Sequence, residues 1–197
     1  ITIYEAYDRT ERMAWGVDAA KNEEVLAKEK RVYELSQIDG VPSVMPYQVP
    51  FRQLTTLLQT YSGDIDAVIA KLGDVKPEQE ECLRRRCECA WYWVKECAPE
   101  DFKFALREDG SKADLSGDFL NAIKRIRDEV VIKLESYQVD KDLQQAMYDI
   151  AKEIGIDPKA LFTSMYQVLI AKDQGPRLAS FMKIIGKDKL NKLLENY

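Results

Sequence analysis

The sequence predicts an all-α protein, a helical bundle of about eight to nine helices. Apolar side chains recur about every three to four residues from one end of the chain to the other, which is the spacing of amphipathic helices. Strand-like alternation of apolar and polar residues is scarce. Gly, Pro and Asp stand where successive helices would begin and end.

The N-terminal part of the chain predicts one long helix over residues 2–37, either unbroken or divided at Gly16. The loop 39–50 that follows contains three prolines, which disfavour a helix, so it is the best candidate for a domain boundary. We therefore expect residues 1–38 to form a connecting region and residues 47–197 to form the helical domain. Helical spacing selects the residues of the first helix that we expect to face inward, namely Tyr4, Tyr7, Ala14, Val17, Val25 and Leu35.

The middle of the chain predicts three helices and one ambiguous segment. Short helices over 51–61 and 64–72 precede a long helix that Pro77 opens and that Pro99 must close. Aromatic and polar residues alternate near 101–107, which leaves open one short extended segment.

Four cysteines lie on the long helix or at its end, at positions 82, 87, 89 and 97. Their spacing is not that of a zinc knuckle, and the chain has no histidine to complete a mixed site. We therefore expect free thiols, with no metal and no disulfide. Cys82 and Cys89 share a helical face with Trp93, and we expect that face to be packed.

The C-terminal third predicts further helices over 115–137 and 140–153 and then a helix opened by Asp157-Pro158. Asp followed by Pro is the order of an N-cap residue and the first helical position. Beyond it, Gly175-Pro176 is predicted to end that helix and start another.

Two short helices meeting at this Gly-Pro-Arg corner would present Arg177 and nearby backbone N–H groups to an anion. An arginine here can take a phosphate in a bidentate manner or stack on an unpaired base. It can equally pair with a neighbouring carboxylate such as Asp173, which is the commoner role of an exposed arginine.

Composition and charge are those of an ordinary folded protein, with 46% hydrophobic and 32% charged residues. The net charge of −5 argues against unspecific nucleic-acid binding, but residues 159–197 hold seven basic and three acidic side chains. A local basic end on an acidic body suits a confined RNA footprint, and it equally suits a solvated helical surface. No apolar run approaches the roughly 20 residues of a membrane span.

Several classes of enzyme are excluded by the residues that the chain lacks. Without histidine there is no Ser-His-Asp or Cys-His system, and neither a dinucleotide-binding GxGxxG nor a GxxxxGK[ST] phosphate loop occurs. Pairs of adjacent carboxylates on a helix point about 100° apart and so do not form acid–base pairs. The sequence therefore predicts no catalytic residue, and its opening without Met or a signal pattern suggests a piece of a longer protein.

Four sequence blocks follow one another between Tyr4 and Leu190, namely YEAYDRTERMAWG, VPFRQL, APEDFKFAL and GPRLASFMKIIGKDKL. In this order they resemble class I lysyl-tRNA synthetases. Each block alone is mostly helix chemistry, but their occurrence in this order is fairly specific to the family.

The resemblance implies that residues 47–197 form an α-helix cage that grips the anticodon stem-loop of lysine tRNA. Residues 1–38 would connect to a catalytic domain of the same parent chain and contact the tRNA stem. The parent would be a cytoplasmic ligase that attaches lysine to its tRNA with ATP. ATP would be held by the HIGH and KMSKS motifs of that domain. Neither motif is present here, so no cofactor is expected in this chain.

The candidate tRNA-binding residues cluster at the Gly-Pro-Arg corner, which in related class I synthetases lies against the anticodon loop. Aromatic rings before the corner could stack on unpaired bases, although at most one of Phe162, Tyr166 and Phe181 is expected to be accessible. An arginine at the start of the helix over 51–61 suggests a carboxylate or phosphate partner. The full set is Gly175, Pro176, Arg177, Leu178, Phe162, Tyr166, Lys172 and Arg52.

Two alternatives remain open at this point. One is a helical protein-interaction module without an RNA role, which would show little of the salt dependence of phosphate contacts. The other is the anticodon-binding region of the related glutamyl-tRNA synthetases, against which the APEDFKF block argues.

Overall fold

The computed structural model of the chain describes residues 1–109, 111–115 and 117–197. The predicted all-α class is confirmed: within these residues there are ten α-helices and no strand. The chain divides into two compact units, Ile1–Ala98 and Pro99–Tyr197. The predicted division into 1–38 and 47–197 concerns roles in a longer protein and stays a prediction.

The first unit contains five helices whose ends follow local signals. Gly16 has a φ of 73°, and the long N-terminal helix is divided there, which was one of the two predicted alternatives. Asp64 accepts a hydrogen bond from the N–H of Ala67 at 3.0 Å and caps the fourth helix. The helices are α1 Thr2–Ala14, α2 Glu23–Ser36, α3 Phe51–Thr60, α4 Ile65–Leu72 and α5 Pro77–Glu96.

The predicted inward face of the first long helix is only partly right. The ring of Tyr4 stacks on that of Phe51, with 4.2 Å between the centroids, but Val17 and Leu35 are exposed. The buried residues of α1 are polar, namely Asp8, Thr10 and Glu11. Helical spacing did not select them because the partners of the buried carboxylates lie far away in sequence.

These partners bring α1, α3 and α5 together. The guanidinium of Arg86 on α5 donates to Glu11 at 2.9 Å and also to Asp8. Asp8 accepts a second hydrogen bond, at 2.6 Å, from the N–H of Phe51 at the start of α3, where Pro50 offers no side-chain cap. A carboxylate near a helix N-terminus is favourable, and here it comes from another helix.

The packing face of α5 also differs from the prediction. Cys87 is buried and burial raises the pKa of its thiol to about 11, whereas Cys82, Cys89 and Cys97 are exposed. The expectation that Cys82 and Cys89 pack is therefore wrong. All four are free thiols, and no group of described residues is arranged to hold a metal ion.

The second unit packs its helices around one apolar core that includes Leu143, Met147, Leu161, Met165 and Phe181. Its helices are α6 Gly117–Arg125, α7 Asp140–Ile154, α8 Pro158–Ile170, α9 Leu178–Ile185 and α10 Lys187–Leu194. None of the helices described in either unit is both long and apolar enough to cross a membrane.

The predicted helix over 115–137 changes its winding along its length. After α6, Ile126–Val130 is π-helical and Val131–Ser136 is a 3₁₀-helix. The N–H of Val131 donates to the carbonyl of Ile126, which widens one turn and lets the adjacent Val130 and Val131 both be buried. Ser116, within the predicted range, lies outside the described residues.

The segment 101–107 forms no strand. Its backbone follows the core of the second unit: the N–H of Arg107 donates to the carbonyl of Leu169 at 2.8 Å, and the ring of Phe104 meets that of Phe181 edge-on at 5.2 Å. The extended segment left open by the sequence is thus a connection without a ladder partner among the described residues.

Replacing Arg86 by Met should lower the free energy of unfolding of the first unit by about 3–5 kcal/mol, because two buried carboxylates would lose their partner. The matched control is Arg85→Met, since Arg85 is exposed and its contact with Asp39 is 3.8 Å long, a pair that contributes about 0–1 kcal/mol. All three tryptophans lie in the first unit, so tryptophan fluorescence during urea denaturation reports on that unit.

The loss caused by Arg86→Met should shrink as the pH falls towards 4. Burial raises the pKa of Asp8, so this carboxyl is among the first to become neutral, and a neutral carboxyl no longer needs the guanidinium. Equal losses in the Arg86 and Arg85 variants at pH 7 would contradict this account.

Candidate nucleic-acid interface

The Gly-Pro-Arg corner is a seven-residue connection between α8 and α9. Helix α8 ends at Ile170, before the predicted stop at Gly175-Pro176, because Ala171 adopts a left-handed conformation with a φ of 56°. Arg177 stands directly before α9, and its carbonyl accepts a hydrogen bond of 2.8 Å from the N–H of Phe181. The corner thus leads straight into a helix N-terminus.

Tyr166 and Gly175 fix the shape of the corner. The hydroxyl of Tyr166 donates to the carbonyl of Pro176 at 2.6 Å, and burial raises the pKa of this phenol. A Cβ atom on Gly175 would lie 2.9 Å from Ile170 Cδ1 and 3.0 Å from Tyr166 Cδ1, so any larger residue here would require these two side chains to move. Both residues therefore have a structural role, while RNA contact by them stays a prediction.

Lys172 anchors the other side of the corner. Its ammonium group donates to the carbonyl of Glu100 at 2.7 Å and to that of Lys103, so the charge predicted to meet RNA is held by backbone oxygens. In the same loop, the amide of Gln167 donates to the carboxylate of Asp173 at 2.8 Å. The carboxylate that we considered as the partner of Arg177 is thus bonded to Gln167.

Arg177 itself is exposed, and among the described residues no acceptor lies within hydrogen-bond distance of its guanidinium. Asp140 lies near it, but this carboxylate pairs with Lys183 at 2.8 Å and accepts from the hydroxyl of Ser180. Those two bonds, with the nearby charge of Arg177, lower the pKa of Asp140. The positive charge of Arg177 is therefore available to a ligand.

The remaining predicted residues have different surroundings. The side chain of Leu178 is buried in the core, which leaves its backbone as the part that could contact RNA, and its role stays a prediction. Phe162 and Tyr166 are both half-buried and Phe181 is fully buried, so two of the three rings keep some exposure rather than at most one. Arg52 belongs to the first unit, where it has the expected carboxylate partner, Glu5 at 3.0 Å.

Sequence reasoning missed a groove beside α7. A cavity of about 630 Å³ is lined by one face of this helix and by the turn into α8. The signal was available, because the helical residues of the lining recur at spacings of three and four positions. The lining residues are Gln145, Tyr148, Asp149, Lys152, Gly155, Ile156 and Pro158.

Arg107 was also missed. Its Nε and Nη1 atoms are buried and have no acceptor among the described residues, and its backbone is bonded to the last turn of α8. Together with the exposed Arg177, it adds positive charge to the end of the second unit that holds the corner. A rigid corner with a free guanidinium and a helix N-terminus can bind phosphate oxygens or base carbonyls.

Replacing Tyr166 by Phe should destabilise the second unit by about 0.5–1.5 kcal/mol, because it removes one hydrogen bond and keeps the ring. Tyr148→Phe is the control, since no described residue lies within hydrogen-bond distance of the Tyr148 hydroxyl and its removal should change little. Urea denaturation followed by far-UV circular dichroism measures both units, and tryptophan fluorescence reports the first unit separately. Equal stability of the two variants would contradict the structural role of the Tyr166 hydroxyl.

The chain is similar over nearly its whole length to proteins that share one description. The chain is 48% identical over 198 residues to a protein of Treponema pallidum, 38% identical over 198 residues to one of Borrelia garinii and 33% identical over 201 residues to one of Thermococcus kodakarensis. All three are described as lysine–tRNA ligases. The alignments cover 98–100% of this chain but only 37–38% of each relative, and no protein-family model matches.

Proposed function

Because the chain is homologous over its length to one segment of the class I lysine–tRNA ligases, as its four sequence blocks predicted, we propose that it is the anticodon-binding region of such an enzyme. Its ligand is the anticodon stem-loop of lysine tRNA, and its place of action is the cytoplasm. The observation that carries the proposal is Arg177, a charged donor without a protein partner at a corner that its neighbours hold in place.

The fixed geometry of the corner favours binding. Hydrogen bonds hold the loop at three points, namely Lys172, Asp173 and Pro176, so little conformational freedom is lost when a ligand arrives. A guanidinium presents several N–H donors in one plane, which suits the carbonyl oxygens of uracil as well as phosphate. The lysine anticodon is rich in uridine, so these donors match the bases that must be read.

Aminoacylation and the use of ATP are proposed for the longer protein and not for this chain. The chain spans little more than a third of the length of the relatives to which it was compared. It has no histidine for a HIGH motif and no stretch resembling KMSKS, so the residues that would hold ATP lie elsewhere in such an enzyme.

Exposed apolar residues of the first unit support a second partner, the catalytic domain of the same parent chain. Tyr7 and Gln37 are joined by a hydrogen bond of 3.1 Å, so the start of α1 lies beside the end of α2. Near this end, Ile3 is 81% exposed and Ile38 is 99% exposed. Clustered exposed apolar side chains are typical of surfaces that another protein part covers.

The same apolar end is the observation that favours the alternative of a protein-interaction module. It concerns the first unit, whereas the free guanidinium lies in the second, so the alternative leaves the corner unexplained. The anticodon-binding region of glutamyl enzymes is not proposed, because the relatives described above are lysine–tRNA ligases.

Replacing Arg177 by Ala should weaken the binding of lysine tRNA by about 1–3 kcal/mol, or roughly 5- to 150-fold in Kd, because a charge-assisted contact is lost. The control variant is Arg85→Ala, which removes the same side chain from an exposed position of the first unit. Filter-binding titrations with lysine tRNA and a non-cognate tRNA measure the effect, and the affinity of the unaltered chain should fall steeply with salt.

The Tm should change little in Arg177→Ala, because an exposed arginine without a partner contributes little to stability. An unchanged affinity for lysine tRNA, accompanied by a large drop in Tm, would show that Arg177 is structural. The assignment of this corner to the anticodon would then be wrong.

A further inference from the structure

We propose that the groove between α7 and the start of α8 holds one unstacked nucleobase of the bound RNA, packed against the ring of Tyr148. The inference rests on the proposed RNA-binding function and adds to it a second subsite. The evidence is the shape of the groove, the chemistry of its lining and its continuity with the corner.

The groove is open to solvent and has room for a planar ligand. Its volume is about 630 Å³, and sites for small ligands occupy about 300–1,000 Å³. Gln145, Tyr148, Asp149 and Lys152 follow one another at helical spacing, so α7 lines one wall with a single face. The turn from Gly155 to Pro158 forms the other wall.

Tyr148 supplies a stacking surface. Its side chain is 37% exposed although its ring meets that of Phe162 at 5.0 Å and an angle of 67°. Contact with Phe162 restricts the ring of Tyr148, so little conformational freedom is lost when a planar ligand packs against it. Stacking of a base on such a ring is insensitive to which base it is.

The polar groups of the groove suit a nucleotide better than an isolated anion or an apolar peptide. One N–H of the Gln145 amide donates to Asp149 at 2.8 Å, which leaves its second N–H and its carbonyl oxygen for the edge of a base. Asp149 repels a phosphate placed in the groove itself. Lys152 is exposed and has no ion-pair partner among the described residues, so it can meet the phosphate that follows the base.

The groove and the corner are joined along one side of α8. Tyr148 contacts Phe162, and Tyr166 lies one turn further along the helix, about 6 Å away, where its hydroxyl holds Pro176. Phe162 and Tyr166 are both half-buried. A single strand of RNA bound at the corner therefore has a partly aromatic surface that leads to the groove.

The test measures binding of the anticodon stem-loop RNA of lysine tRNA to the 197-residue chain. Tyr148→Leu should weaken binding about 5- to 100-fold, as expected for the loss of one stacked base. Tyr92→Leu is the matched control, because Tyr92 is a 62% exposed tyrosine of the first unit and its loss should change nothing. Lys152→Ala, at an exposed position, should lower the slope of affinity against salt by about one.

A set of stem-loops that each lack one loop base identifies the occupant. One of these stem-loops should bind the unaltered chain about as weakly as the intact stem-loop binds Tyr148→Leu. The same stem-loop should bind Tyr148→Leu with no further loss of affinity, because the missing base and the missing ring belong to one contact. This non-additivity is the result that supports the subsite. Should Tyr148→Leu not fold by circular dichroism, the smaller salt slope of Lys152→Ala takes its place as the supporting result.

Full affinity in Tyr148→Leu, or additive losses with every stem-loop, overturns the subsite. If Arg177→Ala is weakened in the same experiment, the proposed function survives that outcome. If the unaltered chain binds lysine and non-cognate stem-loops equally poorly, the proposed function fails and the subsite fails with it.

Discussion

One buried positive charge organises the first unit, because Arg86 is the point at which three of its helices meet. Its side chain is only 18% exposed, and the guanidinium bonds to two carboxylates of α1, one of which also accepts a hydrogen bond from the first N–H of α3. Burial of charge is unfavourable unless every partner is present, so this arrangement permits few alternatives. α1 is therefore held mainly by polar contacts, together with the stacking of Tyr4 on Phe51.

In the second unit, a short loop is held in place while the charge of Arg177 stays exposed to solvent. Its apolar core places α8 and α9, and polar contacts then fix the seven residues between them. Lys172 and Arg177 lie five positions apart, yet one is bonded to backbone oxygens and the other faces solvent. Which of two nearby cations is available to a ligand is thus decided by tertiary contacts.

Local chemistry made much of the fold predictable from sequence. Asp157 accepts a hydrogen bond from the N–H of Ala160 at 3.1 Å, as the N-cap residue predicted from the Asp-Pro order should. The buried face of α1 was missed because Arg86 lies 78 positions from Asp8, and no local pattern records such a pair. At the site, the Gly-Pro-Arg corner could be predicted, but a tyrosine hydroxyl that reaches a backbone carbonyl could not.

The π-helical turn Ile126–Val130 limits how the length of this segment can change during evolution. Loss of one residue would restore regular α-helical hydrogen bonding, so the backbone itself would tolerate it. The same loss would turn everything beyond it by about 100° and carry Val131 and Leu134 out of the core. A single-residue insertion would rotate the same side chains in the opposite sense. Regular helical hydrogen bonding thus favours a segment one residue shorter, whereas core packing favours the observed length. The observed length is therefore the one that packing requires.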